Sequence, residues 1–486
     1  MDNNIYSVIS IVTIVINIIF IITAVFYERK KPVQALSWVL TLLLLPVVGF
    51  ILYLVFGRTY RYKRKKFINK CDRNKKYCRE LCKTLDYVSY DESEFKETYS
   101  NDIKQMIRLN INTSQSPFTN DNSVTIFTSA EEKYQELLKD ISTAKSSIHI
   151  SYFIIQNDYI GNKLIKALAQ KAAEGLEVRV LFDHGSNLIM PLKFFKPITE
   201  NGGEVLCFFS NKIRNYLRAN FRNHRKIVVV DGKIGYIGGI NIGDEYLGLK
   251  EKISPWRDTH LKIIGSGVHS LQLRFFEDWL YASGKDKEFT DIEKYFMLID
   301  QKTKGNTAMQ IVPSGPDTRG EEIKHCLIKM INSAKKNIYI QTPYFIPDSP
   351  FLEALQTAAM SGVEVIIQIP ALPDKYYVYK ATMSFVADII DYGIKTYLYP
   401  GFLHAKMMVI DDTCCTIGTA NIDMRSFSLN FEINSFMYGK EISTRCAQIF
   451  NSDLALCTFL SKDKYNSRSF FTKIQENVFR LLSPLL

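Results

Sequence analysis

Two long apolar runs open the chain. Residues 5–26 are almost entirely Ile, Val and Phe and carry no charge. Residues 33–56 form a second uncharged run, with Pro46 and Gly49 inside it. At 1.5 Å per helical residue each run reaches about 33–36 Å, enough for the hydrocarbon core of a bilayer, and proline is tolerated in such a helix. The intervening Glu28-Arg29-Lys30-Lys31-Pro32 has room only for a tight turn. Neither run shows the polar periodicity of a hairpin buried in a soluble protein. A secretory signal fits no better, because no Lys or Arg precedes the first run and a second follows at once. The pattern predicts a membrane hairpin over 1–57 with two transmembrane helices, 5–26 and 33–56. Trp38 and Tyr53 fall near the ends of the second, where amphipathic rings favour the interface.

From about residue 120 the period changes. Short β-rich runs at 124–127, 147–154 and 176–182 alternate with helical patterns at 131–144 and 162–173. The same order returns later, with strands at 309–312, 337–346 and 363–369 and helices at 321–334 and 351–360. Ser333-Ala334-Lys335-Lys336-Asn337-Ile338 echoes Thr143-Ala144-Lys145-Ser146-Ser147-Ile148, and Gly362-Val363-Glu364-Val365 echoes Gly175-Leu176-Glu177-Val178. A repeat of this length is too long for a solenoid unit. It predicts two duplicated α/β domains, 120–300 and 301–486, with mixed or mostly parallel sheets under helical cover. Duplicated domains commonly meet about a pseudo-twofold axis, and a site at that joint draws one set of residues from each half. A last amphipathic stripe, Phe470 to Leu482, recurs at three- and four-residue steps and is expected to pack onto the second domain, the alternative being that it lies in the bilayer surface beside the active-site mouth.

Composition adds three points. Hydrophobic residues at 47% against 23% charged exclude a mainly disordered chain. Nine scattered cysteines, an odd number, exclude a secreted disulfide scaffold. Cys71, Cys78 and Cys82 lie close together, but no second cluster completes a zinc site, so they are expected to be ordinary reduced thiols. The net charge of +11 favours anionic partners. Much of it gathers at Arg58, Arg61, Lys63, Arg64, Lys65, Lys66 and Lys70, at the start of a basic juxtamembrane linker region, 58–119. Positive charge there places the large domain in the cytoplasm and against anionic headgroups.

Each repeat carries the same polar element. The first is His224-Arg225-Lys226-Ile227-Val228-Val229-Val230-Asp231, followed by Gly238-Gly239-Ile240-Asn241. The second is His404-Ala405-Lys406-Met407-Met408-Val409-Ile410-Asp411, followed by Gly418-Thr419-Ala420-Asn421. On a strand, residues two apart share a face, so His and Lys look into one cleft. A return strand, 235–240 or 415–418, brings glycine and Asn back beside them, and the glycines permit close approach of an anion. This chemistry fits phosphodiester transfer. One imidazole is a nucleophile near neutral pH and a second protonates the leaving oxygen. Two lysines neutralise the non-bridging oxygens, so such a site calls for no metal and no cofactor. Asp231 and Asp411 complete each element, but seven residues beyond His they are expected to hold a turn and tether basic groups.

The paired elements resemble those of the phospholipase D superfamily. The two N-terminal runs, residues 224–246, Trp256-Arg257-Asp258-Thr259-His260, Gly401-Phe402-Leu403-His404 and residues 417–432 are further similar to the bacterial cardiolipin synthase family over essentially the whole chain. The resemblance implies that His224 is the nucleophile and His404 the general acid and then base. It implies that Lys226, Lys406, Asn241 and Asn421 bind phosphate. It also implies that an acidic residue orients each imidazole: Glu432 for His404 or its neighbour in the cleft, and Asp258 in the equivalent place of the first half. The implied reaction transfers a phosphatidyl group from one phosphatidylglycerol to another, at a bacterial cell membrane. Phosphatidylglycerol and anionic membrane lipid are the expected partners. Leu188, Met190, Leu192, Phe194, Phe195, Tyr216, Leu217 and Phe221, and in the second half Tyr376, Tyr377, Tyr379 and Phe385, are candidates for an apolar mouth.

Three rivals remain open from sequence. A membrane-bound phospholipase D hydrolase, or a transferase using a different acceptor, has the same residues. A nuclease would use the positive charge, but no basic face interleaved with aromatics suits nucleic acid, so none is expected as a partner. A scaffold needs no matched histidines. Oligomeric state is not encoded in any visible pattern.

Overall fold

The computed structural model describes residues 12, 14–22, 32–53, 72, 76, 99–185, 192–208, 221–249, 254–284, 292–296, 305–318 and 320–485. Cys71, Cys78, Cys82, the turn at 27–31 and the basic run 58–70 lie outside the described residues. The chain divides into two units, residues 1–70 with 212–220, and residues 71–211 with 221–486.

In the first unit residues 14–22 are helical, and the helices Pro32–Leu44 and Pro46–Leu52 follow. Pro46 separates the latter two, as its missing N–H and ring require. Phe20, Leu42 and Tyr53 are buried together, with Tyr53 at 5.2 Å from the Phe20 ring and 5.4 Å from Trp38. The Asn17 amide is also buried and donates to the Pro46 carbonyl at 3.0 Å. Ile18, Ile19, Leu40, Leu43 and Leu44 point outward and are exposed. Among the described residues, no helix is long and apolar enough to cross a membrane.

The second unit holds both repeats. Its strands in the first half are β1 (Thr119–Phe127), β2 (Ser147–Tyr152), β3 (Glu177–Asp183), β4 (Glu204–Phe208), β5 (Arg222–Asn223), β6 (Ile227–Val230), β7 (Ile234–Gly238), β8 (Trp256–Arg257) and β9 (His260–Ile264). The second half contributes β10 (Thr307–Ser314), β11 (Asn337–Gln341), β12 (Phe345–Ile346), β13 (Glu364–Pro370), β14 (Lys395–Tyr399), β15 (Phe402–Leu403), β16 (Met407–Ile410), β17 (Cys414–Gly418), β18 (Ile422–Asp423), β19 (Asn430–Tyr438) and β20 (Thr458–Phe459). Most join one sheet in the order β20-β14-β13-β11-β16-β17-β19-β10-β1-β9-β7-β6-β2-β3-β4. Apart from the terminal β20, the order is a palindrome about the antiparallel β1–β10 pair, as a pseudo-twofold axis requires. Each half is mixed: β2-β3-β4 and β11-β13-β14 are parallel, and the strands nearer the joint are antiparallel.

The buried side chains explain this layering. Val228 and Val230 enter a core confined to the first half, while Ile227 and Val229 enter a second core. Met408 and Ile410 likewise belong to the second half's own core, and Met407 and Val409 to that same shared one. Alternation with period two thus buries both faces of β6 and β16 and joins the halves through the shared core. The stretch expected as linker is in part structural. Helix Asn101–Ser114 places Ile103, Met106 and Ile107 in the second half's core, at helical spacing. The run expected as one strand at 337–346 breaks at Thr342-Pro343 into β11 and β12.

The stripe at the C-terminus turns the other way from the sequence expectation. Helix Phe470–Arg480 leaves Phe470, Phe471, Ile474 and Val478 exposed and buries Glu476 instead. The physical reason is that its polar edge has partners on the domain. Glu476 pairs with Arg468 at 2.8 Å, Arg480 pairs with Asp388, and Gln475 accepts from the Tyr376 hydroxyl at 2.8 Å.

Candidate active site

Two very short strands build the site. β5 runs parallel to β19, with Arg222 opposite Asn430 and Asn223 opposite Phe431. Continuing that register puts His224 beside Glu432, and the His224 N–H donates to the Phe431 carbonyl at 2.9 Å. β15 runs parallel to β8 with Phe402 opposite Trp256 and Leu403 opposite Arg257. One step on, His404 lies beside Asp258, and its N–H donates to the Arg257 carbonyl at 2.6 Å. Each histidine is therefore held by a strand of the opposite repeat.

The side chains repeat this exchange. His224 Nδ1 lies 3.0 and 2.9 Å from the two oxygens of Glu432. His404 Nδ1 lies 2.6 Å from Asp258 Oδ2. The first expectation, Glu432 on His404, gives way to the neighbour across the cleft: Glu432 bonds His224, and Asp258 of the first half bonds His404 of the second. Asp258 is buried, and Arg257 pairs with Asp453 at 2.8 Å, so Asp258 makes no surface pair with its neighbour.

Both imidazoles are buried. Burial, opposed by Glu432 and reinforced by Lys226, pulls His224 down to about 4. Burial, reinforced by Lys406 and opposed by Asp258, pulls His404 down to about 3. Both carboxyls are pushed up by burial but end below their usual range, because the histidines and lysines facing them prevail. Neutral rings beside ionised carboxylates carry their proton on Nδ1, since a carboxylate accepts only. Each Nε2 then keeps a lone pair.

Lys226 and Lys406 are buried and donate to the carbonyls of His224 (2.8 Å) and His404. Burial lowers them to about 7 and about 8 respectively. Asn241 lies behind the first element, donating to the Tyr246 hydroxyl at 2.8 Å and accepting from the Ile154 N–H at 3.3 Å. The Asn421 Oδ1 is buried without a hydrogen-bond partner.

Asp231 and Asp411 are not part of this cluster. Seven extended residues carry them about 23 Å along the strand. Asp231 accepts from the N–H groups of Lys145, Ser146 and Ser147 at 2.8–3.0 Å, and Asp411 from those of Lys335, Lys336 and Asn337. They hold turns, as expected, but on backbone amides rather than basic side chains. Both have positive φ, 52° and 50°.

The glycine after the first return strand has a different use from the one expected. A Cβ on Gly239 would lie 2.0 Å from Asp258 Oδ1, so glycine here makes room for the protein's own carboxylate. Thr419 holds the same place in the second repeat, and its hydroxyl donates to Glu432 at 2.6 Å.

Several contributors carry no sequence signal strong enough to assign. Phe153 meets the His224 ring edge-on at 4.8 Å, and Trp256 and Phe402 flank His404 at 5.2 and 5.7 Å. Arg225 is fully buried, donating to the Glu432 carbonyl at 3.0 Å and pairing with Asp278 at 2.6 Å. Its position between His and Lys, with Ala405 opposite, was the available cue. Lys133 is buried with its ammonium on the Tyr152 hydroxyl at 2.8 Å. Of the residues expected at an apolar mouth, Phe194, Phe195, Phe221 and Phe385 are buried, and Phe194, Phe195 and Phe385 belong to the cores. Tyr379 is partly buried against the second half's own core, Leu192, Tyr376 and Tyr377 are exposed, and Leu188, Met190, Tyr216 and Leu217 lie outside the described residues. Among the described residues, no three His, Cys, Asp or Glu side chains gather as metal ligands.

Comparison with known proteins agrees with this architecture. Residues 137–254 and 327–454 match the family described as cardiolipin synthase, PLD-like domain, and residues 15–58 match the phospholipase D-nuclease N-terminal family. The major cardiolipin synthase ClsA of Bacillus subtilis (strain 168) is 45% identical, over 97% of this chain and 98% of its own. A cardiolipin synthase of Staphylococcus aureus (strain Mu50) is 42% identical, over 100% of this chain and 98% of its own. A solved phosphatidylserine synthase of Haemophilus influenzae shares the fold, with TM-score 0.59 and 17% identity, over 79% of this chain and 100% of that one. The chain belongs to the cardiolipin synthase family of the phospholipase D superfamily, a family of phosphatidyltransferases.

Proposed function

We propose that this chain joins two phosphatidylglycerol molecules into cardiolipin with release of glycerol. His224 Nε2 attacks the phosphorus of the donor lipid, and the bond from phosphorus to the headgroup glycerol oxygen breaks. His404 delivers a proton to that oxygen. A hydroxyl of the second lipid then returns a proton to His404 and attacks the phosphohistidine, breaking the phosphorus–nitrogen bond. Lys226 and Lys406 neutralise the non-bridging oxygens as charge builds. The observation that supports this most is the pair of buried imidazoles, each with Nδ1 on a carboxylate of the opposite repeat, which leaves an Nε2 lone pair on each. A histidine that gains a proton when the anionic lipid binds is then the acid, and the one that stays neutral is the nucleophile.

Segments 5–26 and 33–56 are proposed to cross the bilayer, with both repeats cytoplasmic. The outward apolar side chains of the described part and the inward Asn17 support the crossing. The basic run 58–70 supports the orientation.

The test is to incubate the detergent-solubilised protein with phosphatidylglycerol alone and weigh the products. Cardiolipin and free glycerol are expected. Phosphatidic acid and glycerol instead would make the chain a hydrolase, and no turnover would leave a scaffold.

A further inference from the structure

The helix Phe470–Arg480 has its amphipathic faces reversed relative to the domain that carries it. An ordinary surface helix buries its apolar stripe. Here Phe470 is 73% exposed, Phe471 77%, Val478 53% and Leu481 just beyond the helix 80%. The orientation is fixed rather than loose. Glu476 is buried on Arg468, Arg480 is paired with Asp388 and lies over the Phe385 ring at 4.3 Å, and Phe479 packs edge-on against Tyr376 at 6.1 Å. Turning the helix over would strip these partners.

The exposed face also adjoins the active site. The helix Tyr376–Ile390, on which it rests, starts two residues after Asp374. Asp374 accepts from the Tyr344 hydroxyl at 2.5 Å and is close enough to Lys406 to act on its charge. At the other end the chain continues into Ser483–Leu485, which packs on the short helix Met424–Ser428 that follows Asn421. Tyr376 and Tyr377, exposed at 53% and 42%, border the same face. Exposed Lys473 lies on the helix itself, and the Lys380 ammonium lies over the Tyr376 ring at 5.3 Å.

We propose that this face docks the catalytic body onto the surface of a bilayer that contains anionic lipid, with the apolar side chains among the upper acyl chains and the site mouth at the headgroups. A bilayer is the occupant for two reasons on this molecule. The edge is basic, matching anionic headgroups, and tyrosines sit at the boundary between the apolar and polar zones, as interfacial rings do. The face also lies beside a site whose substrate, on the function proposed above, is itself a lipid. This inference rests on that function for its consequence but not for its detection.

The experiment uses the full chain in phosphatidylcholine vesicles. Phe470→Ser/Phe471→Ser/Leu481→Ser is compared with the unaltered protein on two substrates: long-chain phosphatidylglycerol in the bilayer and a short-chain form dissolved in water. Turnover of the bilayer substrate is expected to fall about tenfold and that of the dissolved substrate to stay within about twofold. In parallel, Phe471→Trp is expected to gain fluorescence that lipids brominated in their acyl chains quench beyond the wild-type level. Equal loss on both substrates, no loss on either, or an added tryptophan that brominated lipid leaves unquenched would overturn the proposal. A change from dimer to monomer in detergent without any change in quenching would assign the face to a second copy of the chain. If the unaltered protein turns over neither substrate, the proposed function fails, while the quenching still decides the docking.

Discussion

The exchange of carboxylates between the repeats makes a prediction that no same-half arrangement shares. Glu432→Gln takes the charge from the His224 partner, and Asp258→Asn takes it from the His404 partner, each with little change of shape. A hydrogen bond to a buried charged group is worth about 1.5–3 kcal/mol, so each variant should slow the step its histidine performs by about 10- to 150-fold. The two steps separate when the donor lipid carries a p-nitrophenyl headgroup, whose oxygen leaves without needing a proton. The first turnover then releases a burst of nitrophenolate that requires the nucleophile but not the acid. Glu432→Gln should suppress the burst rate by that factor. Asp258→Asn should leave the burst close to wild type and slow only the later transfer, in which His404 must take a proton from the acceptor. Stopped-flow absorbance reads both phases. A burst that survives Glu432→Gln and is lost in Asp258→Asn would reverse the roles of the two histidines or uncross the pairs, and the mechanism proposed here would not stand.

Two further outcomes follow from the charges and the turns. Burial lowers Lys226 to about 7 and Lys406 to about 8, so above those values the free site loses the cations that meet the phosphate. A bound anion restores them. Lipid binding at pH 8 should therefore take up protons, and the KM for phosphatidylglycerol should rise between pH 7 and 9 (approximate bounds set by those shifts) more than kcat falls. Titration calorimetry in two buffers of different ionisation enthalpy reads the uptake, and its absence at pH 8 would contradict the assignment. Asp231→Ala removes four acceptor bonds, three from backbone amides and one from the Ser146 hydroxyl, at a residue with φ of 52°. It should cost about 2 kcal/mol of stability, with Asp231→Asn milder because Asn tolerates that backbone, and with kcat near wild type in the folded protein. A large fall in kcat at unchanged melting temperature would place Asp231 in the chemistry instead.

Much of the frame is legible in the chain because it is local. Continuous β-branched runs such as Ile227 to Val230 announce strands buried on both faces, and matched spacing of His224 with His404 announces two copies of one element. What lay beyond reach is carried by contacts distant in sequence. β5 and β15 are two residues each, too short to leave a pattern, yet they decide which carboxylate meets which histidine. His224 and Glu432 are 208 residues apart. Spacing alone favours a partner in the same repeat, and only the parallel pairing of β5 with β19 overrules it. The C-terminal stripe failed for a related reason. Three- and four-residue steps show that a helix has an apolar side, but they do not say which side the protein binds. Asp388, 92 residues before Arg480, decides that.

Departures from symmetry give the two imidazoles different surroundings. Glu432 shares its charge among His224, the Thr419 hydroxyl and the Asn430 amide, at 2.6–3.2 Å. Asp258 meets the N–H of Thr259 at 2.7 Å and His404 at 2.6 Å, with the bare Gly239 backbone beside it. A carboxylate drained by two further donors supports a positive ring less well. In the free site, however, the balance runs the other way, because Lys406 outweighs Asp258 and holds His404 at about 3 while Glu432 outweighs Lys226 and leaves His224 at about 4, so the proposed roles rest on which ring gains a proton once the anionic lipid is bound. Substituting Thr419→Val removes one of those donors without touching either histidine. It should return negative charge to Glu432 and raise the basicity of His224. An NMR titration of 15N-labelled imidazoles would show the His224 midpoint move upward while that of His404 stays in place. Equal movement of both, or of His404 alone, would mean that the two dyads are not insulated from each other.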